Sequence, residues 1–257
     1  MFSQNFSGGS ADFRDFERDG ELVLRKTYRE GSAQERAPIE IDFLRCFTER
    51  GLDYTPVHLG DGSEDERIYL DMKFEHSDNL YDMMRYDGPL IGYIGGLAET
   101  AERLGKLHDE EELIHRDIKP ANILYRHLDG KPVIIDFDLA IKIEDSKPTK
   151  RIAGTPLYMS PEQIRGEAID VRSDLYNLVM SIYHLLAGKH PFVIDLEDEQ
   201  EGINYLLKTH LKFMPAPLYN RGVSEGLSDV VMKGIAKDPV DRFQSGKELA
   251  DALAKFI

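Results

Sequence analysis

The sequence has no tryptophan, a single cysteine (Cys46) in 257 residues, and too few cations for its anions. One cysteine rules out an intrachain disulfide and any cysteine-rich metal site, and it fits a reducing compartment. The formal net charge of −15 repels phosphate backbones and anionic headgroups, which argues against nucleic acid or a membrane surface as the main partner. Long hydrophobic runs are missing too. The most apolar stretch, Leu175 to Ala187, is too short to span a bilayer and carries Asn177, Ser181 and His184, so it reads as a buried core helix. Met1 to Asn5 lack the basic and apolar regions of a secretory leader. No repeat or low-complexity segment stands out. What remains is an ordinary globular composition, 41% hydrophobic and 31% charged, with a length that suits one large domain or two small ones. A soluble, cytoplasmic chain is expected.

The pattern changes along the chain. Up to Glu75 it predicts short strands and one helix. Leu22 to Tyr28 is rich in strand formers between Gly20 and Gly31. Ile39, Phe43, Leu44 and Phe47 fall at helical spacing from Pro38 to Arg50, and Gly51 ends the run. Val57 to Leu59 and Ile68 to Met72 flank a polar turn at Asp61 to Glu64, predicting a hairpin. Beyond Glu75, helices are predicted over 95–107 and 174–187, with two more within 228–257, and short strands over 122–125 and 133–136. The expected class is α+β, a small sheet-rich part of about residues 1–75 with one main helix and a larger, mainly helical part over 76–257. No Pro/Ser-rich linker lies at the joint near Lys73 to Asn79, so the two parts are expected to be lobes of one domain sharing a cleft.

His115-Arg116-Asp117-Ile118-Lys119-Pro120-Ala121-Asn122 carries the most chemistry. Phosphoryl transfer needs a carboxylate near the attacking hydroxyl, a cation against phosphate charge, and oxygen ligands for magnesium. Asp117, Lys119 and the pair Asn122 and Asp136 are residues of those types, in that order. This stretch, with Asp136-Phe137-Asp138 and Gly154-Thr155-Pro156 through Ser160-Pro161-Glu162, resembles the catalytic and activation segments of eukaryotic-type serine/threonine protein kinases, and the likeness extends from about Phe6 to the C-terminus.

The resemblance implies a bilobal fold, ATP and Mg2+ (with Mn2+ as the alternative cation), and protein substrates that include the chain itself. Asp117 corresponds to the base that orients the hydroxyl, Lys119 to the cation on the transferring group, and Asn122 and Asp136 to the metal ligands. Val23-Leu24-Arg25-Lys26 is similar to the strand whose lysine reaches the α/β-phosphates, and Glu40 to that lysine's partner. Met72 resembles the gatekeeper, with the backbone of Lys73 and Glu75 along the adenine edge and Leu124 as its apolar floor. Thr155 falls in the substrate-docking region. Asp174 is similar to the aspartate that ties the catalytic loop to a buried helix, and Arg242 to the arginine that pairs with Glu162.

Several positions depart from the family pattern. The glycine-rich loop reads Phe6, Gly8 and Ala11 at its three glycine positions, with Gly9 as an extra. Phe13 and Leu24 stand where smaller residues usually sandwich adenine, and overpacking of that kind costs about 1–3 kcal/mol. Asp138 replaces a glycine, which predicts a residue at positive φ whose carboxylate recruits a second cation or repels nucleotide. These departures favour the alternative of a pseudokinase scaffold, against the leading expectation of an active enzyme. Arg116 calls for an anion, and Ser146 and Thr149 are candidate phosphate acceptors. Cys46, among Phe43, Leu44 and Phe47, is expected to be a buried, inert thiol. His115 is expected to be packed and structural, and the acidic run from Asp195 to Glu201 to be a solvated loop.

Overall fold

The computed structural model describes residues 5–7, 11–83, 93–150, 152–192 and 199–257. In chain order, the elements are β1 (Asn5–Ser7), β2 (Ala11–Arg18), β3 (Glu21–Tyr28), α1 (Ser32–Arg50), β4 (His58–Glu64), β5 (Arg67–Lys73), β6 (Ser77–Asn79) and α2 (Leu80–Met83). Then come α3 (Ile94–Glu111), β7 (Leu113–Ile114), β8 (Ile123–Arg126), β9 (Pro132–Ile134), β10 (Ile141–Lys142), α4 (Pro161–Arg165), α5 (Val171–Ala187), α6 (Glu199–Lys212), α7 (Glu225–Gly234) and α8 (Gly246–Leu253). The chain divides into two compact units, Met1–Asp78 with Leu124–Ala140, and Asn79–Ile123 with Ile141–Ile257.

The first unit is built on an antiparallel sheet of order β1-β2-β3-β5-β4. Arg25 on β3 lies directly opposite Asp71 on β5. Its guanidinium forks onto that carboxylate at 2.7 and 3.0 Å and stacks 3.8 Å from the Tyr69 ring centroid, so one residue ties two strands by charge and by packing. The β4–β5 hairpin forms, but its turn is not at Asp61 to Glu64. Glu64 pairs with Arg67, which leaves Asp65 and Glu66 as a two-residue loop with φ of 49° and 62°. Two positive φ values match the right-handed strand twist, and Asp tolerates them better than most side chains. Residues 61–64 lie in β4 itself.

Helix α1 starts earlier than Pro38. The first turn closes as Glu35 N donates to Gly31 O at 3.2 Å, and Pro38 sits within the helix on an exposed position. The buried stripe is Ala33, Ala37, Glu40, Ile41, Leu44 and Phe47, a helical period that turns one carboxylate inward with the apolar groups. Cys46 lies off that stripe and is exposed, contrary to expectation. Its neighbours in sequence are core residues, yet each position along the helix is rotated by roughly 100° from the last.

In the second unit, α5 is the buried centre anticipated from its sequence, with Leu175, Tyr176, Leu178, Val179, Met180 and Ile182 all enclosed. Close approach is bought with glycine. A Cβ on Gly234 of α7 would lie 2.6 Å from Val179, and one on Gly105 of α3 would lie 3.2 Å from the Gly246 backbone of α8. The end of the acidic run opens α6, while residues 193–198 lie outside the described residues.

Two polar clusters brace this unit. Arg242, 1% exposed, meets Glu162 in a fork at 2.7 and 2.8 Å, and Ser173 Oγ donates to the same carboxylate at 2.6 Å. Burial pushes Glu162 up, but Arg242 and Ser173 outweigh it and hold the carboxyl below its usual range. Nearby, His190 donates from Nε2 to Leu157 O at 2.6 Å and accepts from Phe192 N at Nδ1, so its ring is neutral. Burial lowers His190 to about 4, and burial with His190 and Lys237 lowers His210 to about 3.

Arg242→Met leaves Glu162 buried without its cation, and denaturant unfolding should lose about 3–5 kcal/mol. The histidines predict an acid limb. Unfolded histidines take up protons near pH 6.5 while His190 and His210 do not, so the unfolded state binds more protons as pH falls. Their contribution is complete above pH 6.5 and declines towards pH 4, by up to about 1.4 kcal/mol per pH unit for each ring. His190→Asn should flatten that limb when unfolding free energy is measured between pH 7 and 4.

Candidate active-site residues

In the first unit, β3 carries Lys26 inward, with its side chain 3% exposed. Lys26 Nζ meets Glu40 Oε2 of α1 at 2.7 Å and Asp136 Oδ1 at 2.5 Å. Tyr28, two residues further along the same strand, donates its hydroxyl to Glu40 Oε2 at 2.6 Å, and Phe137 N donates to Glu40 Oε1 at 3.3 Å. Burial lowers the Lys26 pKa, but Glu40 and Asp136 reverse this and raise it, so the ammonium stays charged. Burial, with Asp136 adding to it, pushes Glu40 up against the opposing pull of Lys26.

Asp138 departs from expectation. It does not take a positive φ; among the three residues of the motif, Asp136 does, at 69°. Its carboxylate is buried, at 4% exposure, and accepts from Arg36 Nε at 3.1 Å and Nη2 at 3.0 Å. Arg36 lies one helical turn before Glu40, on the same side of α1. Burial and then Asp136 raise the Asp138 carboxyl, while Lys26 and Arg36 oppose them.

The residues expected around adenine also fall in this unit. Met72 is buried on β5 opposite Leu24, and Lys73 N donates to Val57 O at 2.9 Å. Glu75 O accepts from Ser77 Oγ at 3.1 Å, and Leu124 is half-buried on β8. Phe13 sits across from Lys26 in the β2–β3 register. Gly8 and Gly9 lie outside the described residues.

In the second unit, Asp117 is the hub. Its Oδ2 accepts from Lys119 Nζ at 2.6 Å, and its Oδ1 from Thr155 N at 2.7 Å. Lys119 Nζ also donates to Thr155 Oγ1 at 3.0 Å. Asn122 Nδ2 donates to Asp117 O at 3.0 Å, so the amide oxygen is the end of that side chain a cation would meet. Asn122 here, and Asp136 in the first unit, each carry a hard oxygen donor of the kind that suits Mg2+ or Mn2+ and not a soft metal. Asp174, fully buried on α5, accepts from His115 N at 2.7 Å, Arg116 N at 2.8 Å and His108 Nε2 at 3.0 Å. Its expected tie to the loop is present, and so is the Glu162–Arg242 pair. His115 is buried as anticipated.

Residues 146–149 fold back onto the connection between α4 and α5. Ser146 Oγ donates to Ile169 O at 2.5 Å and accepts from Ile169 N at 2.9 Å, while Thr149 N donates to Gly166 O at 2.8 Å. A side chain on Gly166, at φ 66°, would overlap the Thr149 carbonyl. A cavity of about 290 Å³ opens here, with Arg116, Lys147, Thr149 and Glu167 among its lining residues. Thr149 is exposed; the Ser146 hydroxyl is engaged on both sides.

Sequence reasoning did not find Tyr28, Arg36 or Gln163, whose amide holds Arg116 O at 2.8 Å. Tyr28 was open to discovery as the next residue on the Lys26 face of β3, and Arg36 as the residue four before Glu40.

Comparison with known proteins identifies the family. The profile of the protein kinase domain matches residues 26–253. The chain is 35% identical over 188 residues to the serine/threonine-protein kinase PknB of Mycobacterium leprae, covering 70% of this chain and 29% of that protein. It is 34% identical over 195 residues to PknB of Mycobacterium tuberculosis, covering 73% and 30%. With a probable serine/threonine-protein kinase of Clostridium perfringens the identity is 31% over 199 residues, covering 76% and 28%. The chain thus spans less than a third of the length of these relatives. It belongs to the protein kinase domain family.

Proposed function

We propose that the chain is a single protein kinase domain that transfers the γ-phosphoryl group of ATP to serine and threonine hydroxyls of proteins, itself included. The observation that carries this reading is the Asp117 carboxylate, held on one oxygen by Lys119 and on the other by the Thr155 amide. A base fixed from both sides is aimed before substrate arrives, which lowers the entropic cost of reaching the transition state.

In this reading Asp117 orients the incoming hydroxyl and accepts its proton. Lys119 neutralises charge on the transferring group, and its contact with Thr155 ties that cation to the segment against which the peptide docks. Lys26 has three N–H bonds, and the two given to Glu40 and Asp136 leave a third for a phosphate oxygen. Asn122 and Asp136 would hold Mg2+, with Mn2+ as the alternative; the bound cation would supply charge neutralisation between the phosphates. Met72, Leu124 and the backbone of Lys73 and Glu75 would receive adenine. Thr149 and Ser146 are the candidate phosphate acceptors; Thr149 is exposed, and modification of Ser146 would remove the hydrogen bond its hydroxyl donates to Ile169 O.

The relatives' names as serine/threonine kinases support this substrate class. The excess of acidic residues argues against nucleic acid as a partner. No helix among the described residues is long and apolar enough to cross a membrane. We place the domain in the cytoplasm, where ATP is available and a lone cysteine stays reduced.

Incubation with Mg2+ and labelled ATP, alone and with a basic protein substrate, should give phosphoserine or phosphothreonine. Asp117→Ala should lower the rate at least about 100-fold, with nucleotide-dependent thermal stabilisation retained. Nucleotide binding without any transfer by the unaltered protein would favour the scaffold reading instead.

A further inference from the structure

We propose that Arg36 is a positioning residue for the nucleotide site: it cancels the extra carboxylate of Asp138 and anchors the Asp136-Phe137-Asp138 segment to α1. This rests on the reading of Asp136 as a metal ligand given above.

The charged side chains described around this segment include Lys26 and Arg36 against Glu40, Asp136 and Asp138. Lys26 is already shared by Glu40 and Asp136. Asp138 is buried and therefore needs its own cation, and Arg36 supplies it through two N–H groups on one carboxylate oxygen. A buried carboxylate left unpaired beside Asp136 would place a second negative charge close to where phosphates must bind.

The same contact fixes geometry. Helix α1 grips the segment at three successive points: Arg36 on Asp138, Glu40 on the Phe137 amide, and the Phe47 ring edge-on to Phe137 at 5.2 Å. Glycine at position 138 would add backbone freedom at one end of that grip. An aspartate clamped by Arg36 removes the freedom and fastens the residues that follow Asp136.

The test compares Arg36→Met, Arg36→Lys, Asp138→Gly and the Arg36→Met/Asp138→Gly double variant, by steady-state kinetics and by thermal unfolding without nucleotide. Arg36→Met should raise KM for Mg·ATP roughly tenfold, as expected for one lost charge pairing of about 1.4 kcal/mol, with a smaller change in kcat. Arg36→Lys should recover part of that loss because the charge remains, and the double variant should recover most of it because the unpaired carboxylate is gone. In unfolding without nucleotide, the two single changes should be non-additive, with the double variant more stable than Arg36→Met.

A side chain that only packs would lower the melting temperature and leave KM unchanged. The proposal is overturned if KM of Arg36→Met stays within twofold of the unaltered protein, or if the double variant is no better than Arg36→Met. Additive effects in unfolding would overturn the pair itself, whatever the kinetics. An unaltered protein that neither binds nucleotide nor transfers phosphate would sink the kinase reading as well, a result distinguishable from all of these.

Discussion

A charged lysine in the interior of the first unit is the constraint around which its other groups are arranged. An isolated ammonium with 2% of its residue exposed would shed its proton. Lys26 keeps its charge because a helix and a segment far along the chain each deliver a carboxylate to it. The dependence runs both ways. Glu40 is as buried as the lysine and is tolerable there only with Lys26, the Tyr28 hydroxyl and the Phe137 amide around it. The inward turn of α1, the alternation of β3 and the path of the chain at Asp136 are thus three parts of one electrostatic solution.

The second unit solves a different problem, that of holding backbone in an unfavourable region. Arg116 takes φ of 70° immediately before Asp117, at a cost of about 1–2 kcal/mol for a residue with a Cβ. Asp174 accepts both the Arg116 and the His115 amides, and Gln163 caps the Arg116 carbonyl. Strain is held by hydrogen bonds from α5 and α4, so the Asp117 carboxylate sits on a loop braced by the helices beneath it. Asp136 repeats the theme in the first unit, at 69°, with its own carboxylate tied to Lys26.

Much of this was legible in the sequence, because it is local or patterned. The strand formers of β3 and the apolar run of α5 lie where the structure has those elements, and the expected ties of Asp174 and Arg242 are present. Other features depend on which residues meet, and a sequence carries little trace of that. Asp65-Glu66 gives only a weak turn signal, since aspartate favours a turn but glycine and asparagine are both missing; the register of β4 against β5 selects it. The start of α1 was read too late, because a proline suits a first turn, and here it occupies an exposed interior position. Asp138 was read through the glycine it replaces, whereas its carboxylate is engaged by an arginine over a hundred positions away.

Helix α1 also has an outward stripe, formed by Asp42, Cys46 and Glu49. The thiol on it is the chain's one cysteine and is exposed. It lies six residues beyond Glu40, about 9 Å along the helix axis. A fluorophore or nitroxide attached there would report on the helix that carries Arg36 and Glu40, with no competing thiol to remove and no ionic partner disturbed. The natural chain therefore already carries a spectroscopic handle on the element that organises its buried charges.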